Sequence, residues 1–344
     1  MQSPDPAPMN EPQPIAHEES NRQTGRPALG FGCASLFGLP TKRERRVVLE
    51  SAYDLGIRHF DVAPIYGLGL AEAELAEFIG NRTDIRVATK FGMRPTTVGR
   101  LAGLAQTPVR QLLKSSQKMK AKVKSSGQGP DAGFVGRTLY SRNDYSVGAA
   151  RKALSASLRA LRVDRIDYFM LHEPAGALGD DYSDLADCLE RECSKGTLGR
   201  WGPAGDLSQM DANLAGLCSR ATVRQFPYDL MTGYYGQPPD QDRESITFGF
   251  MSATLPLLRG LLERDPELRH QCSELLEADL SDERTAVQLL VRNAMTHNQF
   301  GTVLVSSTRV ENLKTACQAP VAPFRNEAEV ATLIRQKSRA TRSQ

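Results

Sequence analysis

Apolar runs of strand length alternate with segments of helical period along most of this 344-residue chain, and that alternation limits its possible folds more than any other feature. From Leu29 a strand-like LGFGCAS leads through Thr41-Lys-Arg-Glu44 into a helix with Val47, Val48, Ser51, Ala52 and Leu55 on one face. The Thr hydroxyl and Glu carboxylate form a capping box that satisfies the first helix amides, and Gly56 stops the helix. IRHFDVA follows as a strand, LAEAELAEFI as a helix ending at Gly80, and DIRVATKF as a strand. After a long basic stretch come the helix VGAARKALSASLRAL, the strand RIDYFMLHE, the helix DLADCLEREC and the strand LGRWGPAG. A helix around Met210 to Cys218, strands TVRQFPYDL and ITFGFMSA, a helix from Glu283 to Thr296, the strand GTVLVSS and a last helix near Glu311 complete the series. Strands separated by helices pair in parallel, because each helix returns the chain to the same edge. Eight such units predict an α/β chain closed as a single (β/α)8 TIM barrel over residues 27–320, of about 250 residues once the basic insertion is set aside. The competing open, doubly wound sheet carries G-x-G-x-x-G after its first strand, and GFGCASLFG keeps only the first two of those glycines.

Residues 1–24 are proline-broken, acidic and poor in apolar side chains, and are expected to form a disordered tail. The segment 321–344 is expected to be partly disordered, with SRATRSQ fraying. No apolar run approaches the roughly 20 residues of a membrane helix and no signal-like start is present, so a cytoplasmic protein without a membrane partner is expected. The net charge of +3 argues against a nucleic-acid partner. Six cysteines without a C-x-x-C pair point to buried reduced thiols and no metal site. The charge is unevenly spread: Arg94 to Arg142 contains ten Lys or Arg against one acidic residue, Asp131.

In such a barrel the chemistry sits at the carboxyl ends of the strands. Asp61 ends the second strand, Tyr66 lies in the loop beyond it, Lys90 ends the third, His172 ends the fourth and Gln225 lies in the sixth. Taken singly, Asp61 reads as a turn former, Tyr66 as a packed ring and His172 as a core imidazole. Lys90 does not read so simply, because an unpaired ammonium in a strand buried on both faces is costly, and Asp61 on the neighbouring strand is its expected partner. A phenol beside an ammonium, an imidazole and a carboxylate can deliver a proton to a carbonyl oxygen. The Lys90 charge is expected to lower the Tyr66 pKa, Asp61 to hold the ammonium, and His172 to orient the carbonyl.

FDVAPIYGLGLAE with D-x4-Y, ATKFG, SASLRALRVDRIDYFMLHEP and VRQFPYDL, in that order, resemble the aldo-keto reductase superfamily over residues 27–320 apart from the insertion. The resemblance implies a (β/α)8 barrel using NADP(H) in preference to NAD(H), with a small carbonyl or alcohol as substrate. It implies Asp61, Tyr66, Lys90 and His172 as catalytic residues with Tyr66 the proton donor, and Gln225 as holder of the nicotinamide carboxamide. Gly32, Cys33 and Asp61 at the ends of strands one and two are further expected cofactor contacts. Ser306, Ser307, Arg309 and Lys314 in VSSTRVENLKTA are expected near its phosphates and adenosine. Two departures stand out. The family's G-x-S-N after strand five is replaced by Gly202-Pro203-Ala204-Gly205, with Asp206 a candidate substitute. The ring stacking on the nicotinamide is expected from Phe250, with Phe248 the other candidate.

The insertion from Met93 to Tyr145 follows strand three. Thr107-Pro108 starts an expected helix with Val109, Leu112, Leu113, Ser116, Met119 and Val123 on one face and lysines on the other. A substrate lid, a disordered or partner-binding arm and a docked surface helix without function are all compatible with it, and its lysines would attract an anionic substrate or an acidic partner. Three functional classes follow: a nicotinamide-dependent carbonyl oxidoreductase, a nucleotide-binding relative without efficient turnover, and a lyase or isomerase using Lys90 as a Schiff-base former.

Overall fold

The computed structural model describes residues 28–97, 141, 143–175, 178–179, 182–208, 211–234, 243–251, 254–319, 321 and 323–342. Eight parallel strands close into a barrel: β1 (Ala28–Gly32), β2 (His59–Asp61), β3 (Arg86–Phe91), β4 (Ile166–His172), β5 (Leu198–Ala204), β6 (Val223–Asp229), β7 (Glu244–Phe248) and β8 (Thr302–Val305). Neighbours in sequence are neighbours in the barrel, and β8 pairs with β1 through Leu29 and Val303. Gly233–Tyr234 adds a short antiparallel pairing at the end of β6.

Helices follow the strands on the outside: α1 (Lys42–Asp54), α2 (Ala71–Ile79), α3 (Val147–Leu161), α4 (Tyr182–Ser194) and α5 (Ala212–Arg220). The expected capping box starts α1, with the Thr41 hydroxyl accepting from the Glu44 N–H at 3.1 Å and the Glu44 carboxylate accepting from the Thr41 N–H at 3.0 Å. Val48 and Ala52 of this helix are buried, whereas Val47, expected on the same face, is 51% exposed. The face packed on the barrel is narrower than the apolar spacing suggests.

Two apolar zones hold the structure. The larger lies between strands and helices and contains Trp201, Phe60, Phe78, Phe169 and Phe226. The smaller fills the barrel with Ala88, Tyr168, Met170, Ala204, Val223, Ile246 and Leu304. Alternation along each strand divides the residues between them: Arg86, Ala88 and Lys90 face the barrel interior, while Val87 and Phe91 pack outward.

The strands β5 and β6 approach closely at Gly202. A Cβ at Gly202 would stand 1.7 Å from the Val223 carbonyl oxygen, so the backbones meet where no side chain fits.

Two further helices, α6 (Thr254–Arg264) and α7 (Pro266–Leu276), separate β7 from α8 (Glu283–His297), and α9 (Val310–Gln318) follows β8. Neither α6 nor α7 is among the sequence expectations, although Asp265 caps α7 by accepting from the Leu268 N–H at 2.9 Å and Pro266 occupies its first turn. The segment expected to be partly disordered contains α10 (Glu327–Arg342), whose Val330 and Ile334 are fully buried. Its charged composition conceals this narrow apolar stripe. The tail 1–24 and the insertion helix lie outside the described residues. The six cysteines are free thiols, four of them buried, and no helix among the described residues is long and apolar enough to cross a membrane.

The Gly202 contact makes a direct prediction. Gly202→Ala should destabilise the protein by about 2 kcal/mol or more, because neither backbone at this seam can retreat without breaking its neighbour. Chemical denaturation measures it, and an unchanged midpoint would show that the seam yields.

Candidate active site

The inward alternation that fills the barrel also carries four polar groups to its carboxyl end. Lys90 and Asp61, each with a side chain 4% exposed, form an ion pair with Nζ and Oδ1 2.5 Å apart. The ammonium also donates to the Val62 carbonyl at 3.2 Å, and Gln225 Nε2 donates to the second Asp61 oxygen at 2.9 Å. Both carboxylate oxygens are therefore engaged, which a buried charge requires. On the outer side of β3, Thr89 donates to Glu72 of α2 at 2.8 Å and fixes the strand that presents Lys90.

Tyr66 begins a short 3-10 turn, Tyr66–Gly69, that leaves regular geometry at Leu68, where φ is 56°. The turn returns its half-buried ring over the ion pair. The Lys90 nitrogen lies 5.3 Å from the ring centroid. The Tyr66 ring meets His172 edge-on, with centroids 6.1 Å apart and planes at 89°. Asp61, Lys90, Tyr66 and His172 thus lie together at one end of the barrel.

Electrostatics corrects one expectation. Burial raises the Tyr66 pKa, and the opposing pull of Lys90 does not overcome it, so the phenol titrates above its usual value rather than below. Burial acts against the Lys90 ammonium, but Asp61 and Tyr66 outweigh it and hold that pKa above normal. Burial, followed by repulsion from Lys90, depresses His172 to about 3. At neutral pH the site thus holds a protonated phenol, a charged ammonium and a neutral imidazole. An ammonium held charged in this way is a poor Schiff-base former, because the neutral amine is the nucleophile.

At this end of the barrel two buried atoms of the expected site residues lack partners: Gln225 Oε1 and His172 Nδ1. Gln225 Nε2 donates to Asp61, and the carbonyl oxygen Oε1 is left as a free acceptor. Cys33 is buried beside the ion pair, its thiol pushed up by burial and by Asp61. Ser306 donates to the Gly32 carbonyl at 2.9 Å and lies 2.7 Å from the Ser35 hydroxyl, joining the ends of β8 and β1. The Ser307 hydroxyl exchanges hydrogen bonds with the Arg309 backbone at 3.0 and 3.1 Å, just before α9. Arg309 and Lys314 lie further out: Arg309, 74% exposed, stands 3.7 Å from Glu283, and Lys314 pairs with Glu311 at 3.0 Å. Phe250 is 1% exposed within the outer apolar zone, while the half-buried Phe248 packs on the barrel interior. Phe248 is therefore the ring better placed for a ligand at the mouth. Asp206, the candidate substitute after β5, turns its carboxylate to the Ser208 N–H at 2.8 Å.

A model of the aldo/keto reductase family matches residues 28–215. The chain belongs to the aldo/keto reductase family. It is 36% identical over 155 residues to D-threo-aldose 1-dehydrogenase of Pseudomonas sp, a match covering 43% of this chain and 40% of that protein. The chain spans less than half the length of the curated relatives it matches. Its fold is similar to that of an aldo-keto reductase from Bacillus halodurans in the holo form, with a TM-score of 0.60, 21% identity and coverage of 90% and 91% of the two chains. It is also similar to an aldo-keto reductase from Klebsiella pneumoniae in complex with NADPH, with a TM-score of 0.55, 16% identity and coverage of 91% and 92%.

Residues at the site that the sequence does not announce include Tyr145, which donates to the His172 and Glu173 carbonyls. It is the last residue of the insertion and brings the chain back to the site.

Breaking the ion pair should cost more than removing it. Lys90→Met strands the Asp61 carboxylate and should destabilise the protein by about 3 kcal/mol, while Lys90→Met with Asp61→Asn should recover part of that loss. Denaturant midpoints of the two variants settle it, and additive losses would refute the coupling.

Proposed function

We propose that this protein is an NAD(P)H-dependent oxidoreductase that interconverts a small aldehyde, ketone or sugar carbonyl with its alcohol, using Tyr66 as the proton donor and acceptor. The observation that carries the reading is the placement of the Tyr66 phenol over the buried Lys90–Asp61 pair with neutral His172 against its edge. That constellation has little purpose in a protein that only binds a nucleotide.

The barrel mouth fits a nicotinamide cofactor on its own evidence. Gln225 Oε1, buried and unpartnered, suits the N–H of a carboxamide. Phe248 offers a ring face beside it. Ser306 and Ser307, ahead of the amides that begin α9, suit phosphate or ribose oxygens. When bound, such a cofactor supplies or accepts the hydride. The chain's own residues handle the proton. In the reducing direction the Tyr66 hydroxyl gives its proton to the carbonyl oxygen as charge develops there, and the Lys90 ammonium holds the resulting phenolate. His172, uncharged, donates from its ring to the same oxygen and fixes its position. In the oxidising direction the phenolate takes the alcohol proton. NADP(H) is favoured over NAD(H) on family grounds, supported by Arg309 and Lys314 as the cations nearest the α9 end. The acidic partner belongs to the same proposal, resting on Lys118, Lys120, Lys122 and Lys124, which lie outside the described residues.

Tyr66→Phe is expected to bind NADPH as the native protein does while losing carbonyl reduction by about a thousandfold or more. A fluorescence titration and a carbonyl panel with both NADPH and NADH provide the measurement, and retained turnover in the variant would overturn the assignment.

The pH profile follows from the two shifted groups. Because His172 protonates only near 3 and Tyr66 loses its proton above its ordinary value, kcat/KM for reduction should show no inflection near the usual imidazole value of 6.5. It should stay flat through neutrality and fall only above the ordinary phenol value. A bell centred near neutrality would contradict this charge assignment.

A further inference from the structure

The end of β5 offers a ligand no polar side chain from Gly202 to Gly205. Ala204 pairs in register with Gln225, and the Gly205 N–H donates to the Gln225 carbonyl at 2.9 Å. The residues flanking the unpartnered Gln225 acceptor on this side are thus an alanine and a glycine. A carboxylate reaches them from the neighbouring strand. Glu173, directly after His172, has φ of 54°, a left-handed conformation uncommon outside glycine. Its backbone is held there: its N–H donates to the Ala204 carbonyl at 2.7 Å. Its carbonyl accepts from Asn143 Nδ2 at 3.2 Å and the Tyr145 hydroxyl at 3.0 Å. The turn lays its carboxylate on Gly205. A Cβ at position 205 would stand 2.2 Å from Glu173 Oε2 and 2.5 Å from its Cδ, and the Asp206 N–H donates to Oε2 at 3.2 Å. A side chain at 205 and the carboxylate of 173 therefore compete for one space.

We propose that Glu173 is a cofactor-positioning residue that supplies, from β4, the polar group absent at position 205, and that its negative charge makes the site prefer the oxidised cofactor. The inference rests on the functional reading above and adds a thermodynamic bias to it. The oxidised nicotinamide ring is a cation and the reduced ring is neutral, so a carboxylate at this mouth position discriminates between them where an amide would not. Acting through the intermediate dielectric of a protein surface, one such charge changes the ratio of the two affinities by about tenfold.

Glu173→Gln in the full-length chain keeps the size of the side chain and an acceptor for the Asp206 N–H while removing the charge. Dissociation constants for NADP+ and NADPH are measured separately by calorimetry in both proteins. The expected result is that the preference for NADP+ over NADPH falls about tenfold in the variant, mainly through weaker NADP+ binding. An unchanged ratio, or equal weakening of both forms, would mean that the carboxylate only holds the loop, and would overturn the inference while leaving the oxidoreductase reading intact. A native protein that bound neither nucleotide would overturn the functional reading and this inference with it. A second variant guards against misfolding: Glu173→Ala, which leaves Gly205 in its own backbone conformation with φ of 147°, should keep NADPH binding and lose the preference for NADP+. A Glu173→Ala protein that kept the preference for NADP+ would also count against the role of the charge.

Discussion

A buried ammonium held by a buried carboxylate is the constraint around which the barrel is arranged. Neither Lys90 nor Asp61 tolerates the interior alone, and their attraction offsets the lost hydration only with further hydrogen bonds. Those come from the Val62 carbonyl and from Gln225, which reaches Asp61 across the interior from β6. That reach needs room, and the inward positions near it are small: Gly32 on β1, Ala88 on β3, Gly202 and Ala204 on β5. The close approach of β5 and β6 at Gly202 and the cross-barrel bond of Gln225 are two consequences of the same tight closure.

The competition at Tyr66 shows why proximity to a cation does not by itself make an acid. Removing a phenol from water disfavours its anion, and here that effect exceeds the help from Lys90. The resting phenol is protonated, ready to give its proton, and Lys90 acts mainly on the phenolate left behind. The proposed role of Glu173 falls on a different group. Lys90 offsets part of the rise that burial causes in the proton affinity of the tyrosine, whereas a carboxylate on Gly205 would set the balance between oxidised and reduced cofactor. Two opposite charges at one mouth can therefore tune the two halves of a reversible reaction independently.

The sequence made the barrel and its charged centre legible for one reason: both follow from period. Eight strand–helix units imply parallel closure, and a polar residue at an inward strand end implies the mouth. Asp61, Lys90 and His172 satisfy that rule, and Lys90 in a strand buried on both faces demanded its partner. Residues whose position depends on a departure from period were not legible. Glu173 reaches Gly205 only because its φ is positive, and no residue type signals that. Phe248 ends β7 and Phe250 lies two residues beyond it, so strand alternation alone puts both on one face and does not distinguish them. The helix α10 escaped because its apolar stripe, including Val330 and Ile334, is scattered among arginines, lysines and glutamates. Asp206 accepts from the Ser208 N–H, a bond set by the local turn that the strand pattern does not show.

The same inward parity that brings Lys90 to the mouth brings Arg86 to the opposite end of the barrel. There Arg86 approaches the Tyr168 hydroxyl at 3.4 Å, Tyr168 donates to Glu244 at 3.0 Å, and Arg200 pairs with Glu244 at 3.0 Å. The two polar layers are separated by Ala88, Met170, Val223, Ile246 and Leu304. This apolar layer does not insulate them completely. His59 is fully buried, rests on the Tyr168 ring with centroids 5.0 Å apart, and has no partner for either ring nitrogen. Burial, then Arg86, then Lys90 hold its pKa well below the usual imidazole value. The charge of Lys90 is thus felt below as well as above. The apolar layer keeps water from the Lys90–Asp61 pair, and by the same low polarisability it transmits the field of that pair. The strength of the site and the neutrality of His59 follow from one cause, the dry middle of the barrel.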